Sequence, residues 1–334
     1  MREEIMQITI LTESELRKCV QLDHQAVEAV EGGFTALAEG RATIPPIVRV
    51  DVHEHNGEVD IKTAYIQGLD YFAIKIASGY FDNHLLGLPT GSGMMVLMNA
   101  KIGVPEVVLL DNGFLTNVRT GAAGAVAAKY LAQENLDSVG VIGSGVQARY
   151  QIHAVKLMRD FQKLMVYGID SAGVDTYAEE MRGELGIEVV VCETPETLVR
   201  ECDLVVTTTP SKEPFLLSDW LHEGLHITCM GSDSEDKQEI EARVISRVDK
   251  LVCDKKSQCF RLGELHHALE AGLIKEDDEI YELGELTSGK VSGRTSPEEI
   301  TLCDLTGVGI QDTAIALLAY TKAKELGFGF QIES

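Results

Sequence analysis

The chain has 334 residues, 45% of them hydrophobic, enough for two domains. A formal net charge of −24 argues against binding nucleic acid or an anionic membrane through the general field. An anionic ligand would need a local cationic pocket. No apolar run reaches the roughly 18–20 residues of a membrane span, and the stretch from Met1 to Gln7 has no signal-peptide core. The seven cysteines form no CxxC pair, so neither a disulfide framework nor a zinc site is indicated. A cytoplasmic protein with reduced thiols is expected.

Residues 12–40 read as a helix. Thr12-x-x-Glu15 fits a capping box, and Leu16, Val20, Val27, Val30, Phe34 and Leu37 recur at near-helical spacing. Ile44-Pro-Pro46 ends it. From 47 to 110 the pattern is strand-rich, with segments at 47–52, 59–65, 71–77, 94–99 and 107–110 separated mostly by Gly, Pro, Asn or Asp. Residues 120–132 predict a helix of small residues, suited to close packing at a domain junction. Strand and helix then alternate from 138 to 253, which implies a parallel sheet with helices on both faces. A last helix is expected to begin near 302 and run to about 326, returning the chain to its first domain. The fold class is therefore α/β: a Rossmann-type doubly wound parallel sheet plus a discontinuous α+β domain. The boundaries fall at 1–120 with 312–334, and 121–311.

The apolar run Val139–Ile142 leads into Gly143-Ser144-Gly145-Val146-Gln147-Ala148 and a helical pattern. In a βαβ setting this is the dinucleotide-binding fingerprint. Gly143 allows the tight turn, Gly145 lets backbone approach the pyrophosphate, and Ala148 keeps the helix close to the strand. The phosphates would lie on the helix N-terminus. The second strand ends in Tyr167-Gly-Ile-Asp170. Asp170 suits ribose hydroxyls and would repel a 2′-phosphate, which favours NAD over NADP; it is equally placed to cap a helix. Thr207, Thr208 and Thr209 end the fourth strand, where hydroxyls either touch ribose or serve turn chemistry. His53, His55, His84, His266 and His267 form no metal set, and no metal is expected.

Further segments are informative together: Ala73-Ile-Lys75-Ile, Gly87-Leu-Pro-Thr90, Leu115-Thr-Asn-Val-Arg119-Thr120, Met230-Gly231-Ser232-Asp233 and Asp304-Leu-Thr-Gly307-Val-Gly-Ile-Gln311-Asp312. With the mid-chain fingerprint, this set resembles the ornithine cyclodeaminase/mu-crystallin family over nearly the whole chain. Asp60–Tyr65, Phe81–Asn83 and Arg261–His267 look closest to its ectoine-utilisation branch. The resemblance implies a cofactor domain joined to a substrate domain that also forms the contact of a homodimer. It also implies hydride transfer between nicotinamide and the α-carbon of a small amino or imino acid. It assigns Arg49, Lys75 and Arg119 to the substrate α-carboxylate and Lys75 and Asp233 to proton transfer, and adds Thr90, Thr120, Gly231 and Ser232 to the cofactor contacts. Taken alone, Asp233 is also readable as a loop aspartate in an acidic run, and Arg49 as an exposed strand charge.

Lys62 departs from the resemblance, which suggests an uncharged residue there. Strand alternation puts it on one face with Asp60 and Ala64. A fourth cation favours a second carboxylate, so the expected activity is that of an imino-acid reductase or amino-acid dehydrogenase using NAD(H), with iminosuccinate reduced to L-aspartate. Ornithine cyclodeaminase with tightly held NAD is an alternative, since Asp233 would draw a cationic tail. A non-catalytic, mu-crystallin-like NAD(P)H- or ligand-binding protein is another.

Overall fold

In the computed structural model, which describes residues 7–333, the strands form two sheets of eight. The N-terminal stretch read for a leader lies outside the described residues, apart from Gln7. The first unit comprises residues 1–119 and 308–334, the second 120–307. The chain returns to the first unit at Val308, because the last helix belongs to that unit as one piece.

The first unit opens with β1 (Gln7–Thr12), α1 (Glu13–Cys19), α2 (His24–Ala38), β2 (Ala42–Thr43) and β3 (Val48–Val52). It continues with β4 (Gly57–Ile66), β5 (Tyr71–Tyr80), β6 (Gly91–Asn99) and β7 (Pro105–Leu110). The helix α3 (Phe114–Leu131) spans the division between units. The second unit holds β8 (Ser138–Ile142), α4 (Val146–Met158), β9 (Lys163–Tyr167), α5 (Ser171–Leu185), β10 (Glu188–Val191), α6 (Pro195–Glu201) and β11 (Leu204–Thr207). After these come β12 (His226–Cys229), α7 (Ala242–Ile245), β13 (Lys250–Cys253), α8 (Lys256–Cys259), α9 (Gly263–Glu270), β14 (Tyr281–Glu282), α10 (Leu283–Thr287) and β15 (Thr301–Asp304). The helix α11 (Gly309–Leu326) and the strand β16 (Phe330–Glu333) complete the first unit.

The capping box forms: Thr12 donates through N and Oγ1 to Glu15 Oε2, at 2.9 and 2.7 Å. The expected helix over 12–40 is two helices, because the Asp23 carboxylate accepts the Ala26 N–H and starts α2 afresh. Residues 301–304, expected at the start of the last helix, form a buried strand between β12 and β13. Four residues, Thr-Leu-Cys-Asp, are too few to carry a period that separates strand from helix.

The first sheet runs β16-β1-β7-β6-β5-β4-β2, with β3 also on β4. On one face Leu11, Ala73, Met95, Leu97, Val107 and Leu109 are buried, and α11 packs over β4, β5 and α2. The fit at the start of α11 is close: a Cβ on Gly309 would lie 2.4 Å from the Thr63 carbonyl oxygen. One turn on, Thr313 Oγ1 donates to the Ala64 carbonyl and accepts the Ala73 N–H, at 2.7 and 3.0 Å.

The second sheet is parallel throughout, in the order β10-β9-β8-β11-β12-β15-β13-β14. The strand order reverses between β8 and β11, the switch point where ligands bind in doubly wound folds. Val139, Val141, Leu204 and Val206 enter one apolar cluster with Ala148 and Ile152 of α4 and Val174 and Tyr177 of α5. Their neighbours Ile142 and Val205 enter another with Leu198, Ile227 and Leu302. Successive side chains thus bury on opposite faces, which is why these strands read as continuous apolar runs.

Gly309→Ala is expected to lower stability by about 1–3 kcal/mol through overpacking against fixed backbone. A thermal melt would register this as a fall of several degrees; an unchanged melt would contradict the close fit of α11 on β4.

Candidate active site

In the first unit, β4 and β5 pair with Lys62 directly opposite Lys75. Directly opposed residues of an antiparallel pair leave the same face, where like charges repel. Both are buried, at 7% and 2% exposure. Two like charges so placed repel, and burying lysines is costly to a fold.

The neighbours come from distant parts of the chain. Asp312, in the first turn of α11, lies with Oδ1 3.3 Å from Lys75 Nζ and 3.0 Å from Arg119 Nε. Arg119 Nη1 donates to Gln311 Oε1 at 2.9 Å. The helix expected from residue 120 begins at Phe114, so Arg119 sits in the second turn of α3, away from the positive end of the helix dipole. Burial, then the charge of Arg119, with a further push from Lys62, outweigh Asp312 and lower the Lys75 pKa to about 7. The field at Lys75 is thus net positive and dry, a setting that attracts an anion.

Arg49 is placed otherwise. Its Nε and Nη2 donate to the two oxygens of Asp60 at 2.8 and 2.9 Å, and Glu58 lies 3.5 Å away. The structure gathers Lys75, Arg119 and Asp312 and keeps Arg49 on two strand carboxylates.

Gln311 and Asp312 were not among the expected site residues. They are polar side chains opening an otherwise apolar helical run, a signal the sequence did carry. Gln311 Nε2 and Asp111 Oδ1 are buried without a hydrogen-bond partner among the described residues. Asp111 Oδ2 accepts the Leu115 N–H at 2.8 Å, and burial raises its pKa. Thr90, also in the first unit, is exposed, and its carbonyl accepts the Tyr80 N–H.

In the second unit the fingerprint loop joins β8 to α4. Gly143 adopts φ +111°, which a side chain would strain, and a Cβ there would lie 2.6 Å from Thr208 Oγ1. Gly145 is the N-cap of α4, and nothing of the protein stands within 4 Å of where its Cβ would be. Protein packing does not require that glycine; the bare space suits a pyrophosphate on the helix N-terminus. Arg149 Nη1 braces the loop through the carbonyls of Ser144 and Gly145, at 2.7 and 3.1 Å. Val146 is exposed, Gln147 half-buried and Ala148 buried. Asp170 occupies the N-cap position of α5, yet its side chain makes no capping hydrogen bond. The carboxylate therefore remains available for ribose hydroxyls.

Thr207 is buried, while Thr208 and Thr209 are half-buried at the carboxyl edge of β11. Thr120 is buried in α3, with its carbonyl accepting from Gln151 Nε2 at 2.9 Å. Gly231, Ser232 and Asp233 follow β12. Ser232 Oγ donates to the Lys237 carbonyl at 2.6 Å, and Asp233 is ion-paired with Lys237 at 2.6 Å. His266, His267 and Glu270 bring ligand atoms within 4.8 Å of one another, a grouping the sequence reading did not make. His267 Nε2 is hydrogen-bonded to the Lys237 carbonyl at 2.7 Å, and His266 Nδ1 is 3.3 Å from that of Phe260. Among the described residues, no helix is long and apolar enough to cross a membrane.

The fold is shared with solved enzymes. The Δ1-pyrroline-2-carboxylate reductase of Thermococcus litoralis, in complex with NADH and L-proline, is similar with a TM-score of 0.92 and 34% identity, over 97% of this chain and 100% of that one. The iminosuccinate reductase of Paracoccus denitrificans with NAD⁺ gives 0.90 and 28%, over 98% and 100%. Fold and site thus define the class: an NAD-dependent oxidoreductase acting on CH–NH2 or C=N bonds. The chain belongs to the ornithine cyclodeaminase/mu-crystallin family, whose model matches residues 6–327. An uncharacterised cyclodeaminase of Sinorhizobium fredii is 48% identical over 326 residues, 97% of this chain and 98% of that protein.

If the Asp170 carboxylate meets the ribose, kcat/KM for NADH should exceed that for NADPH at least tenfold. Asp170→Ser should cut the ratio about tenfold, by removing a carboxylate that repels a 2′-phosphate. A wild-type preference for NADPH would show the role of Asp170 to be misassigned.

Proposed function

We propose that this protein is an NAD(H)-dependent imino-acid reductase whose substrate is a dicarboxylic imino acid, iminosuccinate, reduced to L-aspartate. The observation that carries this reading is the opposed pair Lys62 and Lys75 on a buried face, beside Arg119. In this reading Arg119 and Lys75 hold the α-carboxylate, Arg119 by its planar fork and Lys75 as a compact charge. Lys62 meets the second carboxylate.

When bound, NAD(H) supplies the hydride. The carbon of a C=N group accepts hydride readily only while the nitrogen carries a proton. Lys75, with its pKa drawn to about 7, is suited to keeping that proton in place or returning it. Arg119, braced by Gln311 and Asp312, fixes the substrate's orientation.

The likeness to the Sinorhizobium fredii cyclodeaminase supports a second reading, conversion of ornithine to proline and ammonia with tightly held NAD. That reading uses Asp233 for the distal amine; here Lys237 already pairs with that carboxylate. The proposed setting is a homodimer in the cytoplasm. The first-unit sheet leaves Ile74, Ile76, Val96 and Val108 half-buried on the face away from α11, and seven unpaired, buried cysteines suit a reducing compartment.

The test is NADH oxidation with oxaloacetate plus ammonia, set beside pyruvate plus ammonia, cyclic ketimines and an ornithine assay. A reductase consumes NADH in step with product; a cyclodeaminase shows no net cofactor turnover. Lys62→Ala should raise KM for the dicarboxylic substrate at least tenfold and change that for pyruvate plus ammonia less than threefold. Equal effects on both would overturn the dicarboxylate assignment.

A pH dependence follows from Lys75. Its charged form predominates below about pH 7, and a bound carboxylate stabilises that form. Inhibition by succinate, fully ionised above pH 7, should weaken as pH rises from 7 to 9, by up to about tenfold per unit. Lys75→Met should flatten this slope. An affinity independent of pH in the wild type would remove Lys75 from carboxylate binding.

A further inference from the structure

The second unit contains a buried carboxylate that neither the fingerprint nor the substrate cations account for. Glu239 is fully buried between the ends of two neighbouring strands. Its Oε2 accepts from Thr207 Oγ1 at 2.6 Å and from the Gly231 N–H at 2.8 Å. Its Oε1 accepts from the Thr209 N–H at 2.5 Å and from Thr209 Oγ1 at 2.9 Å. One side chain thereby ties the loop after β11 to the loop after β12.

The packing leaves no slack. A Cβ on Gly231 would meet the Thr209 carbonyl at 2.2 Å and Glu239 Oε1 at 2.6 Å. Glu239 is itself fixed by its backbone: its N–H donates to Glu264 Oε1 at 2.8 Å, and its carbonyl accepts from Phe215 and Leu216. The clamp reaches the fingerprint through the residue between its anchors. Thr208 N–H and Oγ1 both bond to the Ile142 carbonyl, at 2.9 and 3.2 Å, and Thr208 Oγ1 occupies the space beside Gly143.

We propose that Glu239 is a positioning residue for the cofactor: it locks the loops after β11 and β12, at the carboxyl edge of the sheet, into the form that receives the nicotinamide nucleotide half of NAD(H). This rests on the reading of the second unit as the dinucleotide site. A carboxylate is specifically required. Two backbone N–H groups approach its two oxygens at once, and an amide would turn an NH2 onto one of them. The adenosine half, at the ends of β9 and β10, lies outside the clamp.

Thr207→Val is the sharper variant, because Thr207 is fully buried and can reach a ligand only through Glu239. NADH and AMP affinities of the full-length protein are measured by fluorescence titration and calorimetry, with a thermal melt. Thr207→Val and Glu239→Gln are expected to weaken NADH about tenfold while AMP stays within twofold, and Thr207→Ser to restore the wild-type value. His226→Gln, equally buried but at the opposite end of β12, where the His226 ring bonds Thr301 and Thr228, is expected to lower the melting temperature and leave NADH affinity unchanged. Unchanged NADH affinity in Thr207→Val, or NADH and AMP weakened alike, would overturn the proposal. Failure of the wild type to bind NADH would instead reject the underlying dinucleotide reading.

Discussion

The first unit depends on one carboxylate. Asp312 lets Lys75 and Arg119 stand in a dry layer between sheet and helix, where neither would persist alone. The compensation is incomplete, and that is its use: Arg119 and Lys62 still press on Lys75, so the site holds positive charge in reserve for an anion. In a chain of net charge −24, selectivity for anions has to be built this way, locally and out of solvent. Removing the pocket from water makes each charge count for more and makes the arrangement costly to the fold.

The second unit solves a different problem by different means. Its ligand is large, and much of the binding is assigned to backbone: a glycine turn, a helix N-terminus and strand ends. Backbone groups bind well only if they are held still. The acids buried beneath the sheet edge do the holding. Glu239 collects two amides and two hydroxyls, and Asp254 collects the N–H groups of Thr306 and Gly307 at 2.9 and 2.7 Å. Burial raises the pKa of Asp304 to about 8 and lifts that of Glu264 well above the usual carboxylate range. The set is therefore tolerable because part of it stays protonated.

Much of this was legible in the sequence, unevenly. The fingerprint, the apolar strands and the alternation after residue 138 follow from local rules, and the parallel sheet observes them. Lys75 announced itself by interrupting an apolar run. What was not legible depended on pairing across long separations. That Lys62 faces Lys75 is a matter of register, and that Asp312 faces both Lys75 and Arg119 is a matter of topology. Arg49 shows the same limit from the other side: alone it reads as an exposed strand charge, and only the pairing of β3 with β4 reveals Asp60 as its partner. Strand β15 was lost because four residues buried between two strands need no pattern of their own.

The split of the first unit has a consequence for biosynthesis. Lys75 and Arg119 leave the ribosome 237 and 193 residues before Asp312, the carboxylate that makes their burial bearable. The second unit, whose residues are contiguous, can complete its sheet while the first remains open. Throughout that interval β4 and β5 lack α11, which covers their apolar face. The nascent chain would be most exposed to aggregation, and most dependent on chaperones, in the stretch of translation before Asp312 emerges.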